Sequence, residues 1–319
     1  MKVILFDSSY LVYRSYFAFN QNHLSVDIDG EKIITSAIFG FLRELIKVSS
    51  LFKYDFIITA WDSPPYLKKQ KYAYYKENRK IKLPKFDNER EIIQEILAGL
   101  AIPCLYEKGY EGEDIAKFII SKLEGDSVDL YTNDEDTYAL LNNNVKLLNV
   151  KFPKGKKYKG MKPYYSFFGK EDLKEEYGIT PKQFRKAKAI SGCQSDHVPG
   201  VKGIGMIGAI NLIKRFKTIK EIVANVNIIL KEKPKIGEKL TEAIKNGKLK
   251  ESKFLTKILL PECIHSIERR DRKLSYTTIL EEIEARTLLT GNNRLILNGI
   301  MKKQQRIYDE IKERIGWKC

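Results

Sequence analysis

The 319-residue chain is strongly basic, with 57 Lys and Arg against 41 Asp and Glu, a formal net charge of +16 and 43% hydrophobic residues. This composition excludes a disordered tail and predicts one elaborated domain or two lobes, with a surface that attracts phosphate backbones or anionic membranes. No apolar run reaches the ~20 residues that span a bilayer, and the N-terminus lacks a secretory signal, so we expect a soluble, intracellular protein.

The predicted elements alternate between strand and helix from the N-terminus. Short apolar runs at 2–6 and 56–61 are typical of buried parallel strands, and the segment 34–52 between them has apolar residues at helical spacing. Further strands are predicted at 102–106 and 128–132, with a helix between them whose apolar face is Ile115, Phe118, Ile119 and Leu123. The pattern predicts an α/β fold with a mostly parallel central sheet flanked by helices, and a mainly helical region from about residue 181.

Acidic residues follow predicted strands or open predicted helices in five stretches, namely Asp7, Asp62, Glu111 with Glu113 and Asp114, Asp134 with Asp136, and Asp196. A single Asp in such a position is most often a helix N-cap. Together, however, these carboxylates are expected at the carboxyl edge of the sheet, where open α/β sheets bind ligands. Oxygen ligands suit Mg²⁺, and the four scattered cysteines and three histidines favour neither a zinc site nor a nucleophilic hydrolase.

Two basic stretches and one glycine-rich loop interrupt this pattern. The first stretch, 66–85, has eight Lys or Arg and four Tyr against one acid. The second, 151–174, is likewise rich in Lys and Tyr. A run of charged residues is usually the solvated face of a helix. Here, however, the large excess of basic over acidic residues favours binding to a polyanion, and the tyrosines can stack on unpaired bases. The glycines of 191–216 precede a helix and indicate either a phosphate-binding loop or a plain turn. His197 receives no role.

These residues, in this order, resemble the 5′-nuclease superfamily, which includes flap endonucleases, the 5′ nuclease domains of bacterial DNA polymerase I and bacteriophage 5′ to 3′ exonucleases. The matching motifs are ILFDSSYLVYRSYF, AWDSPPYLKKQKYAYYKENRK, GYEGED, TNDEDTYALL and ISGCQSDHVPGVKGIG. The resemblance implies a PIN-like 5′-nuclease fold. It places a nuclease core at 1–180, with a helical arch at about 64–98, and a mainly helical region at 181–319, with a helix-three-turn-helix region at about 181–217.

The resemblance also implies roles for individual residues. Asp7, Asp62, Glu111, Glu113 and Asp114 would hold a first metal ion, and Asp134, Asp136 and Asp196 a second. Lys76 and Arg79 would contact the scissile phosphate. The residues expected to bind DNA are Arg14, Lys68, Lys69, Lys71, Tyr75, Gly200, Lys202, Gly203, Gly205 and Lys214.

The expected cofactors are Mg²⁺ at two sites, with Mn²⁺ as a substitute, and K⁺ on the carbonyls of the glycine-rich loop. Members of the superfamily typically carry two Asp residues three apart in the last motif, whereas here Cys193 stands at the first of these positions. A thiol is softer than a carboxylate and largely neutral near pH 7. We therefore expect a weakened second metal site.

The sequence thus predicts a Mg²⁺-dependent, structure-selective 5′ nuclease that removes nucleotides or short flaps from DNA in replication or repair, and it leaves the acceptance of RNA primers open. Candidate partners are 5′-ended or flapped DNA, an RNA–DNA hybrid, a single-strand-binding protein and a polymerase, but no membrane. The expected location is the cytoplasm, that of the host if the chain is phage-encoded. One alternative is a non-catalytic or weakly catalytic protein that binds branched DNA. Another is a small-molecule phosphatase, which Ser9 disfavours because the Asp-x-Asp motif needs an acid there.

Overall fold

The structure, a computed structural model, describes residues 1–19, 24–28, 31–77, 86–153, 162–267 and 291–318. It contains two compact units, each assembled from separate segments of the chain. The first unit consists of Met1–Pro64, Ile81–Asn133 and Leu260–Cys319, and the second of Pro65–Lys80 and Asp134–Leu259. The sequence predicts a single domain boundary near residue 180, whereas each of these units combines segments that are separate in the chain. The boundary near residue 180 stays a prediction.

The strands of the described residues are β1 Lys2–Asp7, β2 Ser25–Ile28, β3 Glu31–Ile34, β4 Phe56–Ala60, β5 Cys104–Tyr106, β6 Ser127–Tyr131, β7 Val145–Lys151, β8 Tyr164–Phe168 and β9 His265–Ser266. The helices are α1 Ser8–Phe19, α2 Ser36–Leu51, α3 Leu67–Lys71, α4 Phe86–Gly99, α5 Gly112–Lys122, α6 Lys170–Tyr177, α7 Pro181–Ser191, α8 Met206–Phe216, α9 Ile219–Ala224, α10 Val226–Glu232, α11 Pro234–Lys245, α12 Lys248–Leu255 and α13 Gly291–Ile315.

The first unit is built around a mostly parallel sheet, which confirms the predicted fold class. Its strands follow the order β6-β1-β4-β5-β9. The strand β1 pairs in parallel with β4 and β6, β4 pairs in parallel with β5, and only β9 runs antiparallel to its neighbour β5. The predicted strand at 102–106 begins at Cys104, because Pro103 has no backbone N–H for the ladder. A separate hairpin, β2–β3, completes the strands of this unit.

The core of the first unit lies on both faces of this sheet. Ile4, Leu5 and Phe6 of β1 are fully buried in succession, because a parallel strand covered by helices on both faces has no solvent side. Each such side chain stabilises the fold by roughly 1.5–3 kcal/mol. The predicted apolar face of α5 is confirmed, since Ile115, Phe118, Ile119 and Leu123 are all buried. The sheet is therefore a rigid platform for the residues at its carboxyl edge.

The helix α2 is capped by a residue from a distant part of the chain. Its N-cap residue, Thr35, makes no side-chain capping bond. Instead, the buried Glu89 of α4 accepts a hydrogen bond from the N–H of Ala37 at 2.6 Å. Burial raises the pKa of Glu89 to about 7, against the lowering effect of the N–H groups of Ala37 and Ile38. A carboxyl group thus titrates inside the first unit.

The second unit contains the antiparallel pair β7–β8 and mostly short helices. Local signals set the helix starts: Thr180 and Gln183 form a capping box around Pro181 at the first turn of α7. The loop that follows α7 leads to α8, whose N-cap is Gly205. Among the described residues, no helix is both long and apolar enough to cross a bilayer.

Candidate metal centres and nucleic-acid interface

Asp7 and Asp62 stand at the carboxyl ends of neighbouring parallel strands, where the sheet register pairs Asp7 with Ala60. Asp7 is an N-cap of α1: its Oδ1 accepts a hydrogen bond from the N–H of Tyr10 at 3.2 Å, and its Oδ2 accepts one from the hydroxyl of Thr132 at 2.9 Å. The Oδ1 of Asp62 accepts a hydrogen bond from the N–H of Gly112 at 2.6 Å. Neutral donors thus help to orient both carboxylates.

Gly112 lies between these two side chains at the start of α5. A Cβ atom at this position would stand 3.2 Å from Asp62 Oδ1 and 3.7 Å from Asp7 Oδ1. On either side of the glycine, Glu111 and Asp114 form a reciprocal capping box and are almost fully buried. Glu113, also in this first turn, is partly exposed. We call Asp7, Asp62, Glu111, Glu113 and Asp114 the first carboxylate set.

The first carboxylate set fits a hydrated hard cation. It offers oxygen ligands only, and the absent side chain of Gly112 leaves space between two of them. Within the described residues, no three carboxylates of this set bring their oxygens within 4.8 Å of one another. Mg²⁺ usually keeps several waters and binds one or two carboxylates directly, so this open arrangement suits it.

Asp134, Asp136 and Asp196, the second carboxylate set, belong to the second unit. Asp134 caps the 3-10 helix Glu135–Leu140 and accepts a hydrogen bond from the N–H of Asp136 at 2.9 Å. The side chain of Asp134 is exposed, yet nearby protein atoms partly remove its carboxylate from water; this effect, and then the charge of Asp136, raise the pKa of Asp134, while Lys188 and Lys76 act in the opposite direction. The two acids repel each other, and a cation would relieve this repulsion.

Lys188 of α7 is a residue of this site that the sequence did not single out. Its Nζ lies 2.8 Å from Asp136 Oδ1. Burial alone would lower the pKa of Lys188, but Asp136, Cys193 and Asp134 raise it above its usual value. Nothing in the sequence distinguishes this lysine from the others of α7, because its role depends on the packing of that helix.

Cys193 and Asp196 follow α7 in the turn where the resemblance expects two acids. The thiol of Cys193 lies 3.1 Å from the hydroxyl of Ser195 and is partly exposed. Asp196 is buried, and its backbone carbonyl accepts a hydrogen bond from the N–H of Lys76 at 3.1 Å. The structure therefore brings the predicted catalytic lysine and the last carboxylate of the second set onto adjoining backbone.

Lys76 is held in an unusual backbone conformation. Its φ is 53°, a left-handed value that costs energy for a residue with a side chain. Its ammonium lies 5.2 Å from the ring centroid of Tyr66 and 5.3 Å from that of Tyr75. Arg79, its predicted catalytic partner, lies outside the described residues, as do 78–85 of the first basic stretch and 154–161 of the second.

Two of the residues predicted to bind DNA are buried in the structure, and their role in DNA binding stays a prediction. Tyr75 is only 2% exposed and lies in an apolar cluster with Val198 and Leu255. Lys68 is equally buried, with its ammonium 5.6 Å from the centroid of that ring. The sequence could not separate these two from the exposed Lys69 and Lys71, because the stretch has no clear periodicity.

Arg14 belongs to a hydrogen-bonded network of the first unit. Its guanidinium donates to the hydroxyl of Tyr131, which in turn donates to Glu44 Oε1 at 2.7 Å. A second arginine, Arg90 of α4, donates to the backbone carbonyl of Asp62 and lies over the ring of Trp61. Arg90 was not predicted, since it reaches the first carboxylate set from a separate helix.

The glycine-rich loop between α7 and α8 has an exposed surface and a tight interior. Gly200 adopts a φ of +60°, and a Cβ there would stand 2.5 Å from the backbone nitrogen of Gly192, so only glycine fits. Lys202, Gly203, Gly205 and Lys214 are exposed. The carbonyl of Gly203 accepts a hydrogen bond from Lys239 Nζ at 3.2 Å, which shows that a cation can approach this carbonyl.

Comparison with known proteins gives consistent matches along most of the chain. The family model described as 5′-3′ exonuclease, N-terminal resolvase-like domain, matches residues 2–178, and the model described as 5′-3′ exonuclease, C-terminal SAM fold, matches residues 179–272. The chain is 32% identical to a DNA polymerase I of Caldicellulosiruptor bescii over 264 residues, which cover 81% of the chain and 28% of that relative. It is 27% identical to a 5′-3′ exonuclease of Aquifex aeolicus over 290 residues, which cover 88% of the chain and 94% of the relative.

Among solved structures, the bacteriophage T5 D15 flap endonuclease, in a pseudo-enzyme-product complex with DNA and metal ions, superposes with a TM-score of 0.61. The match covers 97% of this chain and 100% of the T5 chain at 19% identity. At this level of identity, the likeness establishes a shared fold.

Proposed function

Because the chain belongs to the 5′-3′ exonuclease family, we propose that it is a metal-dependent, structure-selective 5′ nuclease that hydrolyses DNA phosphodiesters. The observation that carries the proposal is the placement of Asp7 and Asp62 around Gly112, at the carboxyl ends of adjacent parallel strands and beside a buried capping box. The name of the A. aeolicus relative and the DNA and metal ions of the T5 complex support it. We propose both exonucleolytic and flap cleavage, in replication or repair.

The residues of the first carboxylate set would hold the first divalent ion, which we propose to be Mg²⁺ in the cell, with Mn²⁺ as a substitute. A bound ion of this kind lowers the pKa of a coordinated water and polarises a phosphoryl oxygen. The chain itself supplies the orientation: backbone N–H groups fix the carboxylates of Asp62 and Asp114, and the N-cap bond and Thr132 fix that of Asp7. These contacts orient the oxygens before an ion binds.

The second carboxylate set would hold a second ion less tightly. Cys193 removes one carboxylate, and Lys188 already neutralises Asp136. An ion entering this set would have to displace the ammonium or share the two acids with it. We therefore propose that the second site fills only at higher metal concentration.

Lys76 and Arg79 would neutralise charge on the transferring phosphate. The strained backbone of Lys76 and its position between two tyrosine rings support a positioned cation there. Arg14, Lys69 and Lys71 would guide the single-stranded 5′ end. The exposed loop from Gly200 to Lys214 would hold the duplex, with K⁺ on its carbonyls.

We also propose that RNA primers are accepted, that a polymerase and a single-strand-binding protein act on the same DNA, and that the activity is cytoplasmic.

The proposal is tested with a labelled 5′-flap DNA incubated with Mg²⁺. The Asp62→Asn variant keeps an acceptor for the N–H of Gly112 but removes the charge, so cleavage should fall by about 10²–10³-fold. Asp309→Asn, which changes an exposed acid on α13, serves as the matched control and should cleave like the unaltered protein. Equal cleavage by Asp62→Asn, or cleavage by the unaltered protein in excess EDTA, would refute the role of the first carboxylate set.

A second candidate function is branched-DNA binding with little or no cleavage, and Cys193 beside the Lys188–Asp136 pair is the observation that favours it. DNA binding without any metal-dependent product from the unaltered protein would establish it. The Cys193→Asp variant separates the two cases further. If the missing carboxylate limits catalysis, this variant should reach half-maximal cleavage at a lower Mg²⁺ concentration, and an unchanged Mg²⁺ titration would contradict that explanation.

A further inference from the structure

A cluster of metal-ligating side chains lies outside both carboxylate sets, at the edge of the sheet of the first unit. Glu107 directly follows β5, and His265 lies in β9, which pairs with β5 so that Tyr106 is opposite His265. Cys263 stands two residues before His265. The one acid, one thiol and one imidazole come from two segments more than 150 residues apart. Their meeting is a product of the fold that no local sequence motif reveals.

The side chains are close enough to share one ion. The Nδ1 of His265 lies 2.8 Å from Glu107 Oε2, and the Sγ of Cys263 lies 3.8 Å from the same oxygen. All three ligand atoms lie within 4.8 Å of one another. Ligands of one tetrahedral Zn²⁺ are about 3.3–3.6 Å apart, given bonds of ~2.0 Å to nitrogen or oxygen and ~2.3 Å to sulfur. Small rotations of the side chains would thus replace the present hydrogen bond with coordination.

The backbone that carries these residues is firmly held. The N–H of Ser266 donates to the carbonyl of Lys318 at 2.8 Å, and the N–H of Lys318 donates to that of Ile264 at 3.0 Å. On the other side, the N–H of Ile267 donates to the carbonyl of Cys104 at 2.9 Å. The segment 264–267 is therefore fixed between two neighbours, and the three side chains are presented by regular backbone. A prearranged site of this kind loses little entropy on binding.

The cluster is accessible from solvent. All three side chains of the cluster are partly exposed, so an ion and one or more waters can reach them. Three protein ligands with an accessible fourth position match the open type of zinc site.

We propose that Glu107, Cys263 and His265 form a binding site for a transition-metal ion of the Zn²⁺ class. Thiolate and imidazole ligands favour such ions over Mg²⁺, which prefers oxygen, so the site and the carboxylate sets select different metals. A plain Glu–His ion pair would not need a thiol, and the cysteine is what separates the two interpretations.

Through Cys263 and His265, the bound ion would connect the segment that contains β9 to the loop 107–111, which leads to the first carboxylate set. Glu107 begins this loop, and Glu111 ends it. Within the loop, Gly109 and Tyr110 exchange backbone hydrogen bonds with Ser63, the residue after Asp62, at 2.7 and 3.0 Å. The ion would therefore stabilise the backbone that positions Asp62 and Glu111, without taking part in the chemistry.

The test is a Co²⁺ titration of the whole chain in excess Mg²⁺, which occupies hard-ligand sites. Cobalt should bind with one equivalent and give a thiolate-to-cobalt charge-transfer band that Zn²⁺ abolishes. Cys263→Ser should lose the band, and His265→Gln should weaken Co²⁺ binding by at least about tenfold. Cys193→Ser, which removes the other partly exposed thiol of the described residues, should keep the band.

The readout is spectroscopic, so it does not depend on nuclease activity. If the unaltered chain gives no thiolate band, the proposal is wrong. It is also wrong if Cys263→Ser or His265→Gln binds cobalt as the unaltered chain does, or if Cys193→Ser abolishes the band. Circular dichroism of each variant in Mg²⁺ alone shows that it folds, and should Cys263→Ser fail to fold, the His265→Gln titration decides.

Discussion

The two carboxylate sets differ in the contacts that hold their acids. In the first set, the oxygens of Asp7, Asp62 and Asp114 accept hydrogen bonds from backbone N–H groups. In the second set, Asp136 is paired with the ammonium of Lys188. Backbone donors are neutral and fixed, so they orient a carboxylate without cancelling its charge. An ammonium cancels the charge and competes with any metal ion. Clustered acids alone therefore do not define a metal site. The affinity of each carboxylate for an ion also depends on whether its hydrogen-bond partners are neutral or charged.

The largest expected effect is on cleavage, from Asp134→Ala in the second set. The pKa of Asp134 is raised by partial loss of hydration of its carboxylate and by the charge of Asp136, so this acid should gain most from a bound cation. We expect cleavage of 5′-flap DNA to fall by about 10²–10³-fold, with DNA binding retained. Fluorescence anisotropy and product formation on the same DNA measure the two quantities separately.

The exposed Glu242 of α11 provides the control for this variant, since Glu242→Ala removes an acid of the second unit away from the set. Unchanged turnover in Asp134→Ala would show that the second set has no part in cleavage. The first set would then be the only one of the two with a role in cleavage, and the second would have a structural role.

A smaller loss of cleavage is expected from Gly112→Ala in the first set. The added methyl group would stand 3.2 Å from Asp62 Oδ1, so the carboxylate of Asp62 must shift by a few tenths of an ångström, whereas 3.7 Å to Asp7 Oδ1 is an ordinary contact. We expect cleavage to fall by about tenfold to hundredfold, because catalytic geometry is sensitive to small displacements. Gly299→Ala on α13, where a Cβ meets nothing within 4 Å, is the matched control. Normal cleavage by Gly112→Ala would mean that the space beside the glycine is not used.

The sequence predicted the acids of both sets, but not what supports them. The strands β1 and β4 follow from short apolar runs, and the acids after them follow from the topology of parallel sheets. Thr132 and Arg90 reach the first set from separate elements, and Lys188 reaches the second set across the packing of α7. Such contacts depend on tertiary packing, which no local pattern records.

The same limit explains why the sequence did not predict which side chains of the first basic stretch are buried. Tyr75 and Lys68 were predicted to bind DNA together with their neighbours, because all belong to one Lys/Tyr-rich segment. The structure buries both, and the ring of Tyr75 packs on Val198 and Leu255. Composition identified the segment as unusual, but only the fold tells which side chains it turns inward.

A moderate effect on metal dependence is expected from Lys188→Met, which tests the contrast between the two sets directly. Methionine keeps the length of the side chain but removes the ammonium that pairs with Asp136. If that ammonium competes with the ion, the Mg²⁺ concentration for half-maximal cleavage should fall by about tenfold, equivalent to about 1.4 kcal/mol. Lys182→Met changes an exposed lysine of the same helix and should leave the Mg²⁺ titration unchanged. A rise in the required Mg²⁺ would instead make Lys188 part of the catalytic arrangement.

The smallest effect, on stability alone, concerns Glu89, a carboxyl group held by backbone N–H groups but buried away from both sets. Its folded-state pKa of about 7 lies above the ordinary value of 4.5. Below the ordinary value, the group is protonated whether the chain is folded or not, and its contribution to stability is complete. As the pH rises towards 7, only the unfolded chain loses the proton, so this contribution is lost, up to about 3 kcal/mol.

Urea unfolding at pH 5 and pH 8 measures this loss. The Glu89→Gln variant should lose less stability between the two pH values than the unaltered protein does, whereas Glu310→Gln, an exposed change on α13, should behave like the unaltered protein. An identical pH dependence in Glu89→Gln would mean that the N–H donors of Ala37 and Ile38 fully offset the burial of a charged carboxylate. Backbone donors would then suffice for a buried acid, and the first carboxylate set would need no metal ion to be stable. If the dependence is reduced as expected, N–H donors alone do not suffice for a buried carboxylate, and the same argument predicts that a cation would stabilise the buried Glu111 and Asp114.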